Sequence, residues 1–77
     1  MEVTVTVHAE GGSFWSEVAE LPGCFASGRT LGELREALAE AVGLYLWDLP
    51  GELRGEVKAS GESRVEVRPR GGPQPRA

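Results

Sequence analysis

Leu21-Pro22-Gly23-Cys24-Phe25-Ala26-Ser27-Gly28-Arg29-Thr30-Leu31 is the stretch that decides the fold of this 77-residue chain. Pro22-Gly23 is a turn signal, because proline pre-sets one backbone dihedral and glycine accepts a positive one. Thr30 is a good helix N-cap, and Glu33, three residues on, is its capping-box partner. An apolar strand therefore ends in a tight turn, a short segment crosses, and a capped helix begins.

Upstream, Val3, Val5 and Val7 alternate with Glu2, Thr4, Thr6 and His8. A period of two buries one face of a strand and leaves the other wet. Glu10-Gly11-Gly12-Ser13 reads as a hairpin turn. Phe14 to Glu20 forms the second strand, with Phe14 and Val18 on one side and Trp15 and Ala19 on the other. Both sides carry bulk, so the inward face stays open. Cys24 to Ser27 supplies a short third strand.

Downstream, the spacing predicts a helix over 31–47. At about 100° per residue, Leu31, Leu34, Leu38, Ala41, Val42 and Tyr45 share one face, and Glu33, Glu36, Glu40 and Trp47 share the opposite one. Gly32 and Gly43 each cost about 1 kcal/mol relative to alanine, so the helix depends on its packed face. Asp48-Leu49-Pro50-Gly51 ends it. Val57, Ala59, Val65 and Val67 alternate with polar residues and predict one strand or a hairpin at the sheet edge. The expected fold class is α+β: a small antiparallel sheet, made of a three-stranded meander and a returning strand or hairpin, with one helix packed on one face. Residues 1–68 make the domain, and 69–77, rich in proline, glycine and arginine, make a disordered tail.

Composition narrows the possible chemistry. One cysteine, Cys24, and one histidine, His8, complete neither a disulfide nor a four-ligand zinc site. No cofactor, metal or catalytic group is expected, and the chain reads as a non-enzyme. His8 lacks a nucleophile and an orienting acid in any recognisable pattern, so a solvated strand histidine is the favoured reading. Cys24, among apolar and acidic neighbours, reads as packed rather than reactive. A domain this small has a marginal core, and association between chains is the remaining source of stability, so a homo-oligomer is expected. No signal-like segment is visible and no apolar run approaches ~18 residues, which implies a cytoplasmic protein without a membrane partner. Asparagine is absent and lysine occurs only at Lys58, a usage that suits a heat-adapted or GC-rich source.

Net charge is −4, but it is unevenly spread. Residues 1–53 carry nine acids against two arginines, and residues 54–77 carry three acids against six bases. An acidic body repels phosphate and attracts a basic partner. The basic residues Arg64, Arg68, Arg70 and Arg76 lack interleaved aromatics, so nucleic-acid binding is a weak expectation.

The candidate partner-binding residues are Trp15, Glu17, Glu33, Glu36, Glu40 and Trp47. Trp15 and Glu17 share a strand face that is either core or an open association surface. The three glutamates make either a solvated face or a contact for a basic protein. Trp47 is either covered by the following segment or free for a partner, where tryptophan is enriched in hot spots.

Gly12, Phe14, Trp15, Leu21-Pro22-Gly23-Cys24, Gly28-Arg29-Thr30-Leu31, Glu33, Glu40-Ala41 and Leu44-Tyr45-Leu46 together resemble the HicB-like antitoxin family. The likeness spans Gly12 to Leu46. Ala19 stands where the family often has proline, and Leu34 and Ala37 stand where it often has alanine and asparagine. The resemblance implies a three-stranded meander, one helix and a returning strand. It also implies a protein that neutralises a small basic ribonuclease toxin, here as a short member without the C-terminal DNA-binding domain of longer relatives. The alternative expectation is a small RNA-binding or orphan regulatory domain.

Overall fold

A computed structural model describes residues 1–70. Five strands and one helix follow in the order β1 (Glu2–Glu10), β2 (Ser13–Val18), β3 (Phe25–Gly28), α1 (Leu31–Trp47), β4 (Gly51–Arg54) and β5 (Gly61–Pro69). All pairings are antiparallel, and the strand order across the sheet is β3-β2-β1-β5-β4. The α+β class and the single helix are as expected. The sheet has two strands beyond the meander, and their placement corrects the sequence reading twice. The returning strand β5 lies inside the sheet beside β1, not at its edge. The edge strand is β4, formed by Gly51-Glu52-Leu53-Arg54 immediately after the helix, whereas Val57 and Ala59 lie outside any strand. Val57 is nevertheless buried, and Lys58 donates its amide to Ser63 Oγ at 2.9 Å, so this connection is pinned onto the sheet as a plug.

The deciding stretch folds as its residues demand. Gly23 adopts a φ of 86°, and the Cys24 amide closes the turn on the Leu21 carbonyl at 3.0 Å. At the helix start the Glu33 amide donates to Thr30 Oγ1 at 3.0 Å. The reciprocal bond differs from the expected capping box: Glu33 Oε1 accepts from the Arg29 amide, one residue before the cap, at 2.9 Å. Asp48 ends the helix with a left-handed φ of 60° and donates its amide to Leu44 O at 3.2 Å.

The core lies between the helix and one face of the sheet. Val3, Val5 and Val7 of β1, Val18 of β2, Val65 and Val67 of β5 and Leu53 of β4 meet Leu34, Leu38, Ala39 and Val42 of α1, with Leu21, Cys24 and Val57 closing the ends. This settles the open question about β2: Ser16 and Val18 are buried and Phe14 packs against the core, so Trp15 and Glu17 face away from the helix. The helix is also turned relative to its hydropathy pattern. Ala39 and Gly43 are buried, while Leu31 and Tyr45, expected in the core, are exposed.

Small residues cause that rotation. A Cβ placed on Gly43 would lie 2.1 Å from the Gly51 amide nitrogen, and one on Gly51 would lie 2.6 Å from the Ala39 carbonyl oxygen. Helix and β4 backbones touch there, which only glycine permits. Burial follows the closest backbone approach rather than the largest side chains.

The basic residues near the C-terminus belong in part to the sheet. Arg64 and Arg68 stand in β5, and Arg70 donates its amide to Pro50 O at 2.9 Å. The rest of the expected tail, residues 71–77, lies outside the described residues. No described helix is long and apolar enough to cross a membrane.

Candidate functional site

Two surfaces carry the residues that the sequence singles out. The first is the uncovered face of the sheet. Directly opposed residues of an antiparallel pair share a face, and the register sets His8 against Trp15, Thr6 against Glu17, Trp15 against Ser27 and Glu17 against Phe25. His8 and Trp15 stack with ring centroids 4.1 Å apart and planes 19° from parallel. His8 Nε2 and Glu17 Oε2 are 3.2 Å apart. His8 remains partly solvated, its side chain 41% exposed, with its ring stacked on an aromatic neighbour and beside a carboxylate. Trp15 is 37% exposed and Phe25 is 58% exposed.

The other half of this face is charged. Arg64 donates to Glu2 Oε1 at 2.8 Å, and Arg68 pairs with Glu66 at 3.5 Å. The register also brings Arg54 opposite Glu66 and Glu52 opposite Arg68. Cations and carboxylates alternate here, so this half presents no basic track of the kind that follows a phosphate backbone. At its margin the Glu20 carboxylate accepts from the Thr4 amide at 2.7 Å and from Thr4 Oγ1 at 2.9 Å. The bond from the Thr4 amide holds the Glu20 carboxyl below its ordinary value.

The second surface is the outer ridge of α1. Glu33, Glu36 and Glu40 are exposed, and with Ala37 and Arg70 they line a shallow cleft. Glu33 is already engaged at the helix start, which leaves Glu36 and Glu40 as the free carboxylates of the ridge. Trp47, expected on this face, is instead half-buried and packs against the core cluster. The two candidate groups do not converge: Trp15 and Glu17 lie on the sheet face away from the helix, and the glutamates lie on the helix face away from the sheet. Cys24 is buried, and that burial pushes its thiol above the ordinary value, as suits a packing cysteine.

Phe25, Leu44 and Tyr45 are surface residues that the sequence pattern does not reveal. Phe25 follows a turn on a strand of four residues, and its exposure follows from its register opposite Glu17. Leu44 and Tyr45 are about half exposed because the helix is turned toward β4. Tyr45 spans the gap to the turn, its hydroxyl donating to the Pro22 carbonyl at 3.0 Å. Comparison of the chain with protein-family models, with curated proteins and with solved structures gave no match.

Proposed function

We propose that this chain is an antitoxin-like protein-binding module of the HicB-like kind. It sequesters a small basic ribonuclease toxin, and it does so as a homo-oligomer. The role is binding: a rigid acidic surface occludes a basic one, and charge complementarity speeds encounter. The observation that carries the reading is the exposed carboxylate ridge of α1. Glu36 and Glu40 project from a helix held at its start by the Thr30 cap and along its length by the core. A ridge fixed in this way presents its charge with little ordering cost on binding. The elements that carry the Gly12–Leu46 resemblance form one continuous unit of strand, turn, edge strand and capped helix, which supports the same reading.

The test is co-expression of the tagged chain with the products of the adjacent genes. A stoichiometric complex with a small basic protein whose RNA cleavage is abolished is the expected result. Glu36→Gln/Glu40→Gln then slows association several-fold at low salt, and unchanged rates remove this ridge from the interface. Absence of any such complex, with a gel shift on RNA at low salt, replaces the reading with the RNA-binding alternative.

A further inference from the structure

The two edges of the sheet are treated differently, and the difference can be followed atom by atom. In an antiparallel sheet, alternate residues of a strand point their amides and carbonyls to one neighbour and the rest to the other. The Ala19 amide bonds Thr4 O at 3.0 Å, which sets the phase of the β1–β2 ladder. Trp15 and Glu17 then pair with β1, Phe14 and Ser16 pair with β3, and the partners of the latter are Gly28 and Ala26. The amides and carbonyls of Phe25 and Ser27 therefore point out of the sheet. Among the described residues, no hydrogen bond reaches them.

At the opposite edge the phase is set by Arg70, whose amide bonds Pro50 O, so Gly51, Leu53 and Gly55 point outward. The Gly51 backbone and the carbonyls of Leu53 and Gly55 are covered. Gly51 lies against the backbone of Gly43 and Ala39. The Arg35 guanidinium donates to Gly55 O at 2.6 Å and to Leu53 O at 3.2 Å. An open strand edge is a template for pairing with another chain, and this protein closes one edge and leaves the other.

We propose that β3 is a self-association edge, and that a second copy of this chain adds its own β3 antiparallel across a two-fold axis at Ala26. The proposal rests on the self-association named above and not on the toxin reading. Two observations favour a second copy. First, the register is self-complementary. An axis at Ala26 sets Phe25 opposite Ser27 of the second copy, and both are outward-pointing residues, so their amides and carbonyls exchange bonds twice. Ala26 meets Ala26 of the second copy at a non-hydrogen-bonded position, where the two side chains come closest. Second, the strip is uncharged. Pro22, Phe25, Ser27, Leu44 and Tyr45 are exposed and carry no charge, on a chain whose net charge is −4. Two copies of an acidic protein approach most easily where neither presents a carboxylate. The exposed Leu44 and Tyr45 of α1 would widen the contact beyond the four residues of β3.

The experiment is mass by light scattering, with dimer dissociation measured by sedimentation. Wild type is expected at twice the 8.2 kDa of one chain. Phe25→Lys/Ser27→Lys places like charges directly opposite at two positions. It should raise the dissociation constant about tenfold or more while leaving the circular dichroism unchanged, since both side chains are exposed in the single chain. Phe25→Lys/Ser27→Glu places lysine opposite glutamate in the same register and should restore the dimer. A wild-type monomer across the micromolar range overturns the proposal. So does a dimer that survives Phe25→Lys/Ser27→Lys, or one that Phe25→Lys/Ser27→Glu fails to restore. A monomer that still captures the basic toxin would overturn this proposal alone, and a dimer that captures none would overturn only the toxin reading.

Discussion

At the β4 edge of the sheet an arginine lies across the outward carbonyls, and two glycines let the helix backbone close against the strand. At the β3 edge the outward groups of Phe25 and Ser27 face open space beside an exposed phenylalanine. One helix serves both edges. It packs on both, yet its register gives Ala39, Gly43 and Arg35 to β4 and Tyr45 to the turn before β3. The contrast shows that edge protection in a small sheet is decided by single residues. A guanidinium with two well-placed donors blunts an edge that would otherwise pair.

The largest effect should come from breaking the β4 closure. Gly43→Ala puts a methyl group within 2.5 Å of the backbone of Leu49, Pro50 and Gly51, and backbone cannot yield as a flexible side chain does. A loss of about 3 kcal/mol or more is expected, read as a sharply lowered melting temperature or failure to fold. Arg35→Met uncovers the outward carbonyls of Leu53 and Gly55 while leaving the glycine contact in place. It removes two bonds to backbone carbonyls, so about 1–2 kcal/mol of stability should go. A chain with two open edges can also grow past a dimer, so light scattering should detect larger species. A dimer that stays a dimer would show that Arg35 does not guard the edge.

Tyr45→Phe loosens the opposite side. Loss of the bond to Pro22 O should cost about 0.5–1 kcal/mol in urea unfolding and leave the β4 side untouched. The smallest effect belongs to Glu20, whose carboxylate extends the β1–β2 ladder by accepting from Thr4. Its folded value is lowered from the ordinary 4.5, so its contribution is present above that value and is lost as pH falls through the folded one. Wild type should therefore lose stability on acidification, while Glu20→Gln starts slightly less stable and shows a shallower acid slope. Parallel acid curves would remove Glu20 from the ladder.

Much of this architecture is legible in the residues. The alternation of β1, the Pro22-Gly23 turn, the Thr30 cap and the span of α1 each follow from a local rule acting without competition. β4 is not legible, because Leu53 is its one buried side chain with bulk and Gly51 argues for a turn. Val57 looks like a strand residue because burial and strand formation share the same apolar signal. The turned helix escapes hydropathy for a related reason. Gly43 and Ala39 are buried because they are small, and a hydrophobicity pattern weights size. The same weighting puts Tyr45 in the core and hides the uncharged strip beside β3. Of the candidate partner residues, Trp15 and Glu17, whose face the pattern leaves open, stand on the surface with Glu36 and Glu40, Glu33 is engaged at the helix start, and Trp47 turns inward.

Amide exchange followed residue by residue as a function of protein concentration tests the central contrast most directly. The account predicts that the Phe25 and Ser27 amides gain protection as the protein is concentrated, while that of Leu53 does not change. Fast exchange at Phe25 and Ser27 at every concentration, or protection that builds at Leu53 instead, would contradict it.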